Sequence, residues 1–279
     1  FTFPDQLELT SSLDEAVLSS DIVISSVPTS AFAEIIQKIQ TIDSNKSIIW
    51  TNKGLETGSS LFPHEIIQDY LVNKELAYGV LSGPSFAAEL VRDLPTAVTL
   101  ATTNSELSNS VAKIFHHGSM RVYLSDDIAG VTVGGSLKNI IAIAAGISDG
   151  LGYGDNTKAA IITRGLYEIK KLGMALGANH DTFTGLSGIG DLIVTCTSNH
   201  SRNRNAGERL GKGEKYNQIL ENYLMVVEGF DNCEAAVKLS NKFNLNLPII
   251  NQVHQVLFQN KDPKIAMTEL MNRSAKSEI

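Results

Sequence analysis

Lys138 is the only charged side chain between Gly130 and Ser148, in a stretch reading GVTVGGSLKNIIAIAAGIS. An ammonium in so apolar a setting is costly unless it is paired, neutralised or reaching water, so it either snorkels out or meets an anion or a reacting group. On a helix it shares a face with Gly134, Gly135, Ala142 and Ala145, at offsets of three, four and seven residues. Small residues there permit close helix packing, or they leave space for a ligand whose carbonyl oxygen the ammonium polarises. Both readings stand on these residues alone.

Four other groups have types and spacings suited to chemistry. Lys53 follows the apolar run SIIW in TNKGLE, where a strand should end, and the carboxyl ends of parallel strands are where ligands collect; a solvated loop lysine is the plain alternative. In LSGPSFAAEL, Gly83 permits a tight turn and Pro84 is expected to open a helix at Ser85, whose free N–H groups suit an anion or a carbonyl oxygen, although a turn and cap explain these residues equally well. Asp191 comes after the glycine-rich GLSGIG, a usual place for a helix cap, and Ile189 stands where a G-x-S-x-G nucleophile elbow would need glycine. Arg202 and Arg204 follow Ser201 in SNHSRNRN, either a helix start armed with guanidinium for an oxyanion or a solvated basic turn. The six histidines show no metal-ligand spacing and read as structural or surface residues, and no metal is expected.

The elements that must position these residues change character along the chain. Up to about residue 126, the β-branched runs DIVISSV, SIIW, AYGVL, TAVTLA and RVYLS alternate with helical patterns, which predicts a largely parallel sheet wound in the βαβ manner. Ser12 with Glu15 predicts a capping box, and Pro63 suits a first helical turn. Beyond Asp127, TKAAIITRGLYEIKKLGMALG and YNQILENYLMVVEGFDNCEAAVKLSNKF carry helical periodicity only. The expected organisation is an α/β part over 1–126 and an all-α part over 127–279, with the boundary near Ser125 to Ala129.

Composition narrows the partners. A chain of 279 residues, 43% hydrophobic and 19% charged, suits a folded two-domain protein. Its net charge of −7 gives no general attraction for nucleic acid or anionic lipid, so an anionic ligand needs a local site. Cys196 and Cys233 form no C-x-x-C pair, which predicts reduced thiols and a cytoplasmic setting, and the apolar run IIAIAAGI is too short to span a bilayer.

Taken in order, TNKGLE, SGPSFAAEL, GGSLKNIIAIAAGISDGLGYG, GLSGIGDL, SRNRN and VVEG closely resemble the NAD(P)-dependent glycerol-3-phosphate dehydrogenases of the bacterial type, over essentially the whole chain. The resemblance implies a Rossmann-like domain followed by an α-helical substrate domain, a homodimer, and interconversion of dihydroxyacetone phosphate and sn-glycerol 3-phosphate with NAD or NADP, feeding phospholipid synthesis. It makes Lys138 the acid/base catalyst. By motif position it assigns Lys53 and Asp191 to the catalytic and substrate site, with Asp191 orienting or pairing Lys138, and Gly83 and Ser85 to substrate contacts. Ser201, Arg202 and Asn203 match the family's phosphate-binding S-R-N. Ala87, Val226 and Glu228 fall on the cofactor side, together with Lys53 and Arg202, while Asn139 and Thr195 are neighbours.

The sequence departs from that family at one place. Such enzymes open with a strand, a G-x-G-x-x-G/A turn and a helix that seat the pyrophosphate, and nothing before Ser12 supplies the turn. The expectation is a sequence lacking its first βαβ portion, on the order of 30 residues per such unit, so that the choice between NAD and NADP is not legible. Two rivals remain: a related two-domain hydroxy-acid dehydrogenase, against which the S-R-N motif argues, and a shortened, non-catalytic sugar-phosphate-binding relative.

Overall fold

The computed structural model describes residues 3–222, 227–275 and 277. Residues Leu13–Leu18 form α1, capped by the Ser12 hydroxyl, which accepts from the Glu15 N–H at 3.2 Å. Only half of the expected capping box forms, because Thr10 intervenes: its hydroxyl accepts from the Ser12 N–H at 3.0 Å and donates to the Glu15 carboxylate at 2.6 Å. Then follow β1 (Ile22–Ser25), α2 (Thr29–Ile42), β2 (Ser47–Trp50), α3 (Pro63–Tyr70), β3 (Tyr78–Ser82), α4 (Ala87–Leu90), β4 (Thr96–Thr102), α5 (Ser105–Phe115) and β5 (Met120–Ser125).

The strands lie in the order β1-β2-β3-β4-β5, every pair parallel except β3 and β4, which run antiparallel with Val80 opposite Ala101. That reversal follows from the connection: residues 83–95 carry one four-residue helix, too little for the crossover that a parallel return requires. After Ser47 the run SIIW is apolar because both of its faces are covered. Ile48 and Trp50 pack with Phe32, Ile36 and Ile66 on one side of the sheet, and Ile49 packs with Leu100, Leu107 and Val111 on the other.

The helix expected at Ser85 starts later. Gly83 has φ +146°, the Ser85 hydroxyl donates back to the Gly83 carbonyl at 3.0 Å, and this local turn delays α4 to Ala87.

Past β5 the chain is helical: α6 (Ile128–Gly150), α7 (Asp155–Ala175), a 3-10 turn (His180–Thr184), a π turn (Leu186–Gly190), α8 (Asp191–Thr197), α9 (Arg202–Gly211), α10 (Tyr216–Asn222), α11 (Glu228–Lys242), α12 (Pro248–Phe258) and α13 (Pro263–Met271). The long pattern beginning at Tyr216 is thus two helices. By length and composition α6 is long and apolar enough to cross a bilayer, unlike the short run within it, but 89% of its apolar window is buried inside the protein. It is the axis around which α7, α8, α9 and α11 pack. At Gly146 a Cβ would lie 2.0 Å from the Arg204 carbonyl oxygen, so glycine is what allows α9 to cross α6 backbone to backbone.

Candidate active site

The face of small residues around Lys138 serves packing and chemistry together. A Cβ on Gly134 would meet the Ser187 carbonyl oxygen of the π turn at 2.7 Å, and one on Gly135 would meet Ser82 Oγ at the end of β3 at 2.7 Å. Ala142 and Ala145 are fully buried. These close approaches bring α6, the π turn and the sheet's carboxyl edge together, and Lys138 lies where they meet.

Its partner is Asp191, which begins α8 directly after the π turn. Asp191 does not cap the helix; its carboxylate is 1% exposed and takes one lysine on each oxygen. Lys138 Nζ donates to Oδ1 and Lys53 Nζ donates to Oδ2 at 2.9 Å. Lys53 also donates to the Gly83 carbonyl at 2.9 Å, so the turn at the end of β3 holds its ammonium in place. Two ammonium groups against one carboxylate leave local positive charge in a cleft with little water. Burial pushes the Lys138 pKa down to about 8, against the opposing pull of Asp191 and with help from Lys53.

The other motif residues divide. Ser201 caps α9, accepting from the Arg204 N–H at 3.2 Å. Arg202 opens α9 and is exposed, with Glu228 as its electrostatic neighbour. Arg204 is not a second free guanidinium: it bonds Asp149 Oδ2 through Nε at 2.7 Å and through Nη2 at 2.6 Å, fastening α9 to the end of α6. Asn203 is buried, and its Oδ1 accepts from the Gly229 N–H of α11 at 2.9 Å. Thr195 donates to the Asp191 backbone carbonyl at 2.6 Å. Asn139 donates to Glu228 Oε2 at 3.1 Å, and burial raises the Glu228 pKa against Arg202, Lys138 and Lys53, so these charges share one neighbourhood. Ser85 and Ala87 lie on the turn and first residue of α4, where Phe86 meets His200, in the turn before α9, at 5.9 Å between rings. Val226 lies outside the described residues.

Three buried polar atoms that the sequence did not point to lie at the same edge. Among the described residues Ser25 Oγ, Asn52 Oδ1 and Ser82 Oγ find no hydrogen-bond partner, and they stand at or just past the carboxyl ends of β1, β2 and β3. Buried polar atoms left unpaired are costly, and a polar ligand over that edge satisfies them. The donor set, three neutral polar side chains beside two lysines, fits the amide end and sugar of a nicotinamide dinucleotide. Only their position just after apolar runs could have signalled them. No G-x-G-x-x-G turn occurs in the sequence to cradle the pyrophosphate.

Comparison with known proteins agrees with this arrangement. Residues 1–108 match the model of the NAD-dependent glycerol-3-phosphate dehydrogenase N-terminus, and residues 127–268 match that of its C-terminus. The chain is 45% identical over 278 residues to glycerol-3-phosphate dehydrogenase [NAD(P)+] of Methylobacillus flagellatus, covering 100% of this chain and 84% of that one. It is 46% identical over 277 residues to the enzyme of the same name from a Thermoanaerobacter species, covering 99% and 83%. A crystal structure of glycerol-3-phosphate dehydrogenase from Coxiella burnetii superimposes with a TM-score of 0.92 at 39% identity, over 97% of this chain and 83% of that one. With both family models matched and curated relatives 45% identical over the full chain, the chain belongs to the NAD-dependent glycerol-3-phosphate dehydrogenase family.

Proposed function

We propose that the protein interconverts dihydroxyacetone phosphate and sn-glycerol 3-phosphate with NAD or NADP, as a cytoplasmic homodimer supplying glycerol 3-phosphate for phospholipid synthesis. In this reading residues 1–126 serve the dinucleotide and residues 127–279 the substrate. The observation that carries it is one buried carboxylate holding two ammonium groups at the sheet's carboxyl edge, beside a helix start bearing an exposed guanidinium. The nicotinamide, when bound, supplies or accepts hydride at the substrate's central carbon.

The chain's own residues manage charge and proton. Lys138 Nζ donates a hydrogen bond to the substrate carbonyl oxygen and, as negative charge grows there, passes its proton across; in oxidation the neutral amine takes the proton back. A pKa lowered to about 8 leaves the ammonium mostly protonated near neutral pH yet able to release its proton. Asp191 holds Lys138 and Lys53 on its two oxygens, so Lys53 adds a second positive charge near the developing alkoxide. Arg202 and the N–H groups at the Ser201 end of α9 hold the phosphate, which does not react. By motif position Ala87, Val226 and Glu228 serve the cofactor, with Asn139 held on Glu228, while Gly83, Ser85 and Asn203 serve the substrate.

The test is an assay of the purified protein with dihydroxyacetone phosphate, unphosphorylated dihydroxyacetone and a 2-keto acid, each with NADH and NADPH, alongside sedimentation for the dimer. A kcat/KM for the phosphorylated ketone far above those for the other two substrates is expected. Turnover of the 2-keto acid alone, or ligand binding without turnover, overturns the reading in favour of a hydroxy-acid dehydrogenase or a non-catalytic relative.

A further inference from the structure

Asn232 is 1% exposed on α11, and nothing in the chemistry above uses it. Its amide is engaged at both ends. Oδ1 accepts from the Leu55 N–H at 2.9 Å, and Nδ2 donates to the Ser136 carbonyl at 2.9 Å. Leu55 is two residues past Lys53, and Ser136 is two residues before Lys138. One side chain therefore ties together the two backbone segments that carry the two ammonium groups of the site.

The surroundings make this tie specific. A Cβ on Gly54 would lie 2.9 Å from Thr29 Oγ1 and 3.1 Å from Asn232 Oδ1, so the loop rests on the amide with its backbone. The Ser136 hydroxyl reaches the Gly54 carbonyl at 3.2 Å, but it also reaches the Thr132 carbonyl at 2.8 Å, and its single proton is shared between them. Asn232 is the stronger bridge.

We propose that Asn232 is a positioning residue for the reaction, setting Lys53 against Lys138 on the two oxygens of Asp191 by tying the Lys53 loop to α6. The proposal rests on the dehydrogenase reading for its kinetic consequences. Its physical core is that a buried Leu55 N–H without Oδ1 must seek another partner, and the loop moves outward with Lys53 when it does. The charged and titratable groups facing Lys138 are Asp191 and Cys196 from α8, Lys53 from the loop after β2, and Glu228 from α11. Lys53 disfavours the Lys138 proton by repulsion and shares its counter-ion, so a displaced loop lets Lys138 keep its proton to higher pH.

The experiment is a double-mutant cycle of Asn232→Ala and Lys53→Met, with kcat for dihydroxyacetone phosphate reduction followed against pH. Asn232→Ala alone should lower kcat by about tenfold or more while KM moves less than about threefold, because small misplacements of reacting groups are costly. In the Lys53→Met background the same change should cost less than about twofold, since it acts through a lysine no longer there. The alkaline limb should move to higher pH in Asn232→Ala and stay in place in Leu239→Ala, a cavity variant on the same helix. Fully multiplicative effects, or an unmoved limb, overturn the proposal. If Asn232→Ala does not fold, Asn232→Ser, whose shorter side chain cannot span from the Leu55 N–H to the Ser136 carbonyl, must show the same non-additivity at smaller size, and independence from Lys53 overturns the proposal. An NMR titration of Lys138 with 13Cε-labelled lysine, without substrate, decides the positioning apart from activity: an upward shift in Asn232→Ala supports it and an unchanged curve sinks it. A parent protein inactive on dihydroxyacetone phosphate would instead defeat the functional reading.

Discussion

Asp191 and Glu168 pose the same physical problem, a carboxylate removed from water, at 1% and 3% exposure, and the molecule solves it in two ways. Asp191 receives two lysine ammonium groups from distant segments. Glu168, on α7, receives the N–H groups of Ile249 at 2.8 Å and Ile250 at 3.1 Å, both in the first turn of α12. An ammonium partner carries a proton that can leave; a peptide N–H does not. The first arrangement suits transfer, while the second satisfies donors that every helix start leaves open and so fastens α12 to α7. Their electrostatics differ accordingly. The excess of positive charge around Asp191 leaves an electrophilic site, while burial pushes the Glu168 pKa up to about 7, only partly opposed by its N–H partners and by Arg273 and Arg164.

The comparison breaks first at Lys138. Lys138→Met fills a similar volume without the charge, so the fold should survive. Reduction kcat should fall by about a hundredfold or more, within the roughly 10²–10⁴ that positioned acid/base groups contribute. Steady-state kinetics against pH add a second check. Because reduction needs the protonated amine, parent kcat should decline as pH rises through about 8, and the variant should lack that limb. Turnover within a few-fold of the parent would remove Lys138 from the chemistry.

Arg202→Ala tests the charge brought by α9 rather than the proton. Losing a charge-assisted contact to a non-reacting phosphate costs roughly 1.5–3 kcal/mol, which corresponds to a KM for dihydroxyacetone phosphate raised about 10- to 160-fold with kcat changed much less. Unphosphorylated dihydroxyacetone should be handled alike by parent and variant. An equal loss on both substrates would place the guanidinium elsewhere.

The sequence made one of these two regions readable and hid the other. All five strands and the α/β-to-α change after β5 were legible, because β-branched runs and helical periodicity are local signals. Lys138 was legible because a lysine amid GVTVGGSL and NIIAIAAG contradicts its own segment. Its pairing with Asp191, and the place of Lys53 in the same site, were legible only through the family resemblance: Asp191 lies 53 positions from Lys138 and 138 from Lys53, and no periodicity encodes such pairings. The same limit hid Arg204 on Asp149, Asn203 turned toward α11, and the antiparallel return of β4, which depends on how little helix lies between two strands. The π turn before Asp191 was hidden as well, since GLSGIG reads equally as any flexible turn. Glu168 carries no signal of its own in LYEIKKLG, because its role depends on where α12 begins some 80 residues later.

Glu168→Gln sharpens the contrast most finely, because it should leave kcat and its pH dependence within about twofold and move only stability. The sign follows from the raised pKa. An unfolded chain releases this proton near 4.5 and the folded one near 7, so between those values the native state binds more protons and the parent loses stability as pH rises. A displacement of that size corresponds to roughly 3 kcal/mol over the window. Glutamine does not titrate. Near pH 5, where Glu168 is protonated in the folded state, variant and parent should melt at similar temperatures; by pH 8 the variant should melt higher, at roughly 2–4 °C for each kcal/mol gained. Thermal melts of both proteins at pH 5, 6, 7 and 8 give the comparison directly. A Tm difference that moves in the parent's favour with rising pH would mean that the two N–H donors outweigh burial. In that event Glu168 would be charged in the folded protein, and the division between the two carboxylates would rest on their partners' protons alone.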